Sequence, residues 1–219
     1  PPIVSDHNKN LRLRLTQIGT LTPAMQMKMF HMMGAYESNQ NWGVWNSSEG
    51  SYGYIQSNLN SKESPQIELA KLYSSMGGTF SSALAKYKTT AQAKADFANY
   101  KRLMTQAASD PKMQEAQKIF AFQYFLTPAF RAVAAVATLT LPITYYCLMD
   151  FLINFGRYDR NVQKFLSFFQ GPNNKLDSSD FEWKHEQQNL IDFLAWRFDW
   201  MRKNSYQRAS EQVRKYSID

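Results

Sequence analysis

The sequence predicts a mainly α-helical protein with one small β-hairpin or loop element near its start and a central buried helix. Three observations predict it. Apolar residues recur at helical spacing behind strong start signals, Thr22-Pro23 and Asp110-Pro111. The run PITYYCLMDFLINF, residues 142–155, is apolar nearly all round, as a helix enclosed by others must be. Residues 41–60 instead set aromatics between Gly, Ser and Asn, the pattern of a short hairpin or compact loop.

Each element follows in order. Residues 1–20 are polar and irregular apart from the amphipathic LRLRLTQI. Thr22 is a good N-cap and Pro23 suits the first helical position, so a helix opens there. Met25, Met29, Met32, Met33 and Tyr36 form its apolar positions, and polar residues end it near 37–39. IELAKLYSSM is helical and stops at Gly77-Gly78. Helices are expected over SSALAKYK and over TAQAKADFANYKRLMTQAAS. Asp110-Pro111 opens a long helix in which Pro128 forces a kink or division. Thr140-Leu141-Pro142 starts the central helix, which ends at Gly156. A helix over 157–170, the loop GPNNKLDSSD and a last helix over 181–204 complete the chain.

Composition narrows the function. With 219 residues, 44% of them hydrophobic, 15 Phe and 12 Tyr, the chain can build a core without disulfides or metals. Its single cysteine, Cys147, lies in an apolar run and reads as buried and inert. His7, His31 and His185 are far apart in sequence and no Cys/His cluster exists, so neither a metal nor a cofactor is expected. No Ser–His–Asp motif or phosphate-binding glycine loop is present. The opening PPIVSDHNKN is polar rather than a signal peptide, and no apolar run reaches the ~20 residues of a membrane helix. The net charge of +7 favours polyanionic partners, but the basic residues are scattered and match no nucleic-acid motif.

The stretch AYESNQNWGVWNSSEGSYGYIQ, residues 35–56, holds two isolated acids, Glu37 and Glu49, with no Lys or Arg between them. Glycosidic cleavage needs a proton donor and a second carboxylate that activates water or attacks the sugar. Glu37 suits the donor. The negative end of the helix dipole and the desolvating Tyr36 and methionines would raise its pKa. Its alternative is a surface Glu in a frayed last turn. Glu49 is the best second carboxylate, and its alternative is a plain turn residue in SSEGS. Ser47, Ser48, Tyr52 and Tyr54 could position water or a sugar hydroxyl. Trp42 and Trp45 could line a sugar groove, or close the core of the small lobe. Asp150, on the apolar central helix, needs a buried partner, and Arg197 is the natural one. That pair reads first as a structural tie between lobes, second as a charge tuning the catalytic acid.

Five segments carry a family resemblance: AYESN, DPKMQEAQ, YFLTPAFRAVA, LTLPITYYCLMDFLINFG and LIDFLAWRFDWM, in that order. Together they resemble bacterial chitosanases, within the lysozyme-like group of glycoside hydrolases. Glu37, Asp150, Gly156 and Arg197 fall on family positions. Two positions depart from the family pattern: its Asp-Gly-x-Gly-Tyr segment has its nearest match in Glu49-Gly50-Ser51-Tyr52-Gly53-Tyr54, with Glu for Asp and an extra residue, and Asn154 stands where the family has a histidine. The resemblance implies a lysozyme-like, two-lobed α-helical fold. Residues 1–21 would be an N-terminal extension and 22–219 the hydrolase domain, its smaller lobe about 40–105 and its larger about 110–205.

The resemblance also implies hydrolysis of a β-1,4-linked amino-sugar polymer, with Glu37 and Glu49 as the catalytic carboxylates. Chitosan is a polycation and calls for an acidic cleft. Peptidoglycan offers carboxylates to a basic enzyme, so a muramidase-type activity is expected first and a chitosanase second. A non-catalytic wall-binding module is the alternative of a different class. The expected partners are peptidoglycan glycan strands and an immunity protein, with no nucleic acid and no membrane insertion. The chain is expected to be a monomer, secreted or delivered to the bacterial periplasm or cell wall as a module of a larger protein.

Overall fold

A computed structural model describes residues 10–46, 50–59, 64–136, 139–156, 159–169 and 182–204. The chain divides into two compact units, one ending at Ala129 and the other starting at Phe130.

In the first unit, helix α1 spans Pro23–Ser38. Thr22 Oγ1 accepts the Met25 N–H at 3.2 Å, which satisfies one of the donors orphaned at the helix start. The helix stops where Asn39 and Gln40 turn left-handed, at φ 51° and 60°, and the Gln40 N–H returns to the Gly34 carbonyl at 3.0 Å. The expected apolar face splits. Met29 and Met33 are buried, but Met25, Met32 and Tyr36 lie 39–56% exposed, because the helix packs through Gln26, Phe30 and Gly34 instead.

Strands β1 (Trp45–Asn46), β2 (Ser51–Tyr52) and β3 (Ser57–Asn58) form an antiparallel sheet in the order β1-β2-β3. Trp45 pairs with Tyr52, and Tyr52 with Ser57. Strands of two residues supply few ladder bonds, and side-chain amides add to them. Gln66 Nε2 donates to the Gly50 and Ser57 carbonyls at 3.0 and 2.9 Å. Gln117 bonds the Trp42 carbonyl and the Tyr54 N–H.

Helices α2 (Pro65–Ser75), α3 (Ser81–Leu84), α4 (Thr90–Ala95) and α5 (Phe97–Ala107) follow. The helix expected over SSALAKYK is thus a single turn. The one expected over residues 90–109 is divided at Asp96. The Asp96 carboxylate accepts the Tyr87 hydroxyl at 2.7 Å, the Asn99 amide at 3.1 Å and Lys86 Nζ at 3.0 Å. Short acidic side chains that bond locally compete with the helix in this way. Helix α6 (Pro111–Ile119) is capped by Asp110, which accepts the Lys112 N–H at 2.9 Å. A π-helical stretch, Phe120–Leu126, joins it to α7 (Thr127–Val136). Pro128 has no N–H to give to an α-helical ladder. The chain answers with wider bonding just before it, where the Thr127 N–H reaches back to the Phe122 carbonyl. The core of this unit centres on Tyr52, Tyr73, Tyr100, Met104, Met113 and Ile119.

The segment before α1 also contributes to this unit. Ile18 and Leu21 are buried, and the Leu13 N–H donates to Glu115 Oε1 at 2.6 Å. Glu115 is 8% exposed and bonds Lys118 Nζ at 2.7 Å. Burial pushes its carboxyl up, but the Leu13 N–H and Lys118 outweigh that and hold it below the usual range.

In the second unit, α8 spans Pro142–Phe155, α9 Asp159–Leu166 and α10 Glu182–Lys203. Every residue of α8 from Thr144 to Leu152 is buried, as an all-round apolar helix requires. Its N-terminus has no cap of its own. Glu186 of α10 supplies one, accepting the Thr140 and Leu141 N–H groups at 2.6 and 3.0 Å and the Thr144 hydroxyl at 2.6 Å. At the other end Gly156 adopts φ 86° and its N–H returns to the Leu152 carbonyl at 2.8 Å. Phe151, Phe165 and Phe193 pack edge to face around the middle. No described helix is long and apolar enough to cross a membrane.

Candidate functional site

The end of α1 is built around an aromatic stack. Tyr54 lies on Phe30 at 4.8 Å between ring centroids, and Trp42 lies on Tyr54 at 4.2 Å. The Tyr54 hydroxyl bonds His31 Nδ1 at 3.0 Å. Gly34 makes the approach possible, since a Cβ there would fall inside the Tyr54 ring. Gly53 serves the other side. It sits at φ 87°, and a Cβ on it would stand 2.5 Å from Gln117 Oε1.

Glu37 is half-buried in the last turn of α1. Met33, Phe30 and Gln26 precede it by four, seven and eleven residues and are all buried. Those spacings share one helix face. Glu37 therefore leaves the helix on its packed side, rather than on the side that carries Met25, Met32 and Tyr36.

The other expected site residues divide. Tyr52 is fully buried and its hydroxyl donates to the Met104 carbonyl at 2.7 Å. Tyr54 is 2% exposed, with its hydroxyl taken up by His31. Both tyrosines, expected to position water or a sugar hydroxyl, thus lie in the packing around the small sheet with their hydroxyls bonded inside the protein. Burial pushes both phenols up. Trp45 is half-buried at the edge of the core. Its Nε1 donates to Thr105 Oγ1 at 3.0 Å, its ring meets Phe97 edge-on at 5.7 Å, and Lys101 Nζ stands 5.6 Å over it. Trp42 is half-buried too, with one face on Tyr54. Glu49, Ser47 and Ser48 lie outside the described residues.

Asp150 and Arg197 both belong to the second unit, where they join at 2.6 Å with no exposure of either side chain. The pair ties α8 to α10 within that unit. Asn154 Nδ2 donates to Asp150 Oδ1 at 3.2 Å and so joins the same network. Among the described residues no group of three or more His, Cys, Asp and Glu gathers to hold a metal ion.

Sequence reasoning passed over Gln66, Gln117 and Glu186. A signal was there for Gln117. It stands beside Ala116 and four residues after Met113, on the buried stripe of α6, where an amide has no reason to be unless it meets a partner.

No protein-family model and no curated protein matches the chain. A solved structure described as a chitosanase complex does, with a TM-score of 0.60 over 85% of this chain and 83% of its own, at 15% identity. The fold is chitosanase-like. The chitosanase-like fold accounts for the mainly helical chain, the small three-stranded antiparallel sheet and the enclosed helix α8.

Proposed function

We propose that this protein is a glycoside hydrolase that cleaves β-1,4 bonds of bacterial peptidoglycan, with Glu37 as general acid. One observation carries the reading. Within a chitosanase-like fold, a half-buried glutamate leaves the packed side of a helix just before the small sheet. Glu37 gives its proton to the oxygen bridging two sugars as that bond breaks. Glu49 is the second carboxylate, which either draws a proton from attacking water or attacks the sugar carbon itself. Trp42, half-buried with one face on Tyr54, contributes an aromatic surface for a sugar ring. The +7 charge steers an anionic wall polymer towards the protein, at a rate that salt would reduce. The place of action is the bacterial cell wall.

A second reading has its own support. The structural neighbour is described as a chitosanase, so chitosan is the alternative polymer. Purified protein incubated separately with peptidoglycan and with chitosan decides between them by new reducing ends. Retention on the wall without cleavage of either polymer supports a binding module instead. Glu37→Gln is expected to lower turnover by about 10²–10⁴-fold while preserving the fold and retention on the wall. Near-normal activity of that variant overturns the assignment.

A further inference from the structure

We propose that Gln117 is a positioning residue of the hydrolase, holding the chain that leaves Glu37 in register with the small sheet. The inference rests on the hydrolase reading above. Gln117 is 3% exposed and uses both ends of its amide. Nε2 donates to the Trp42 carbonyl at 2.9 Å, and Oε1 accepts the Tyr54 N–H at 2.8 Å. These two main-chain groups come from opposite sides of the β1–β2 hairpin. One lies in the turn between Glu37 and β1, the other just after β2.

The clamp gains its effect from what it holds. The main-chain bond beside it, from the Gly53 N–H to the Val44 carbonyl, is 2.9 Å long, and β1 and β2 are two residues each. Gln66 braces the sheet at the Gly50 and Ser57 carbonyls, and Gln117 braces the chain at Trp42 and Tyr54. Trp42 stacks on Tyr54, and Tyr54 lies against Gly34 of α1, one turn before Glu37. One amide on α6 thereby links the hairpin to the aromatic stack that lies against the end of the helix carrying the acid. Burying such an amide is costly unless both ends are bonded, and here both are. Gly53 closes the arrangement from the far side. Any side chain there would press on Gln117 Oε1.

The experiment compares Gln117→Met, Gly53→Ala and the double variant with the wild type on whichever polymer the wild type cleaves. Gln117→Met keeps the volume and loses both bonds. Gly53→Ala keeps the amide chemistry and displaces it. Each single variant is expected to lower kcat by about 10²-fold, the scale of loss for a small misplacement, while KM moves far less. The double variant is expected to lose little more than the worse single one, because both act on one clamp. Circular dichroism and Tm confirm that folded protein is compared. If Gln117→Met does not fold, Gly53→Ala carries the test alone. Wild-type kcat in a folded variant, with only Tm reduced, makes Gln117 structural and overturns the proposal. A wild type that releases no reducing ends from either polymer overturns the hydrolase reading, and the positioning role falls with it.

Discussion

Asp150 Oδ2 and Arg197 Nη2 stand 2.6 Å apart, and neither side chain has any exposed surface. The attraction offsets a large desolvation cost, so the pair is better at punishing its own disruption than at stabilising the fold. Arg197 also places its guanidinium 5.8 and 5.5 Å from the Phe151 and Phe155 rings, which gives the cation further contacts on α8.

Removing one partner leaves the other buried and charged. Arg197→Met and Asp150→Leu are each expected to cost about 3–5 kcal/mol of stability. The double variant is expected to recover much of that loss, since two apolar groups leave no uncompensated charge. Urea unfolding of the three variants checks this through the coupling energy. Additive losses would show that the two side chains do not depend on each other.

Tyr52 separates packing from substrate contact. Tyr52→Phe keeps the ring against Trp45, 5.0 Å away, and loses only the hydrogen bond to the Met104 carbonyl. The expected result is a loss of about 1 kcal/mol in stability, with kcat/KM unchanged on the cleaved polymer. A large loss of activity without loss of stability would return Tyr52 to the sugar-binding residues.

Acid stability is set in part by Asp96 and Asp110. Hydrogen bonds from Tyr87 and Asn99, then Lys86, lower Asp96 from 3.8 to about 2. For Asp110, burial pushes the carboxyl up. The Thr79 and Lys112 N–H groups and the Tyr73 hydroxyl outweigh it, and the net shift is downward. A carboxyl held lower in the folded chain than in the unfolded one stabilises the fold above the unfolded value. That contribution is lost as pH falls through the folded value. Tm is therefore expected to fall between pH 3.8 and about 2 for the Asp96 part. Asp96→Asn and Asp110→Asn should each flatten the fall in a Tm–pH profile. An unchanged slope in Asp96→Asn would mean that its bonds with Tyr87 and Lys86 do not form in solution.

The sequence by itself determined what local chemistry controls. Thr22-Pro23, Asp110-Pro111 and Leu141-Pro142 marked three helix starts, because a missing N–H or a capping oxygen acts on its immediate neighbours. The all-round apolar run Pro142–Phe155 marked the enclosed helix, and the Gly/Ser/aromatic stretch marked the small sheet. The charge at Asp150 demanded a buried counterpart, and Arg197 supplied it. Tertiary structure decided what depends on partners distant in the chain. The division of residues 90–109 at Asp96, where Tyr87, Asn99 and Lys86 take up the carboxylate, lies between the two, because those partners are only 3 to 10 residues away. Tertiary structure turned Tyr52 and Tyr54 inward, where their rings pack on Trp45 and on Phe30 and Trp42. It also gave Gln66, Gln117 and Glu186 their work. Their main-chain partners lie from 9 to 75 residues away and are met only once the helices have packed, so the sequence does not say which groups they will bond.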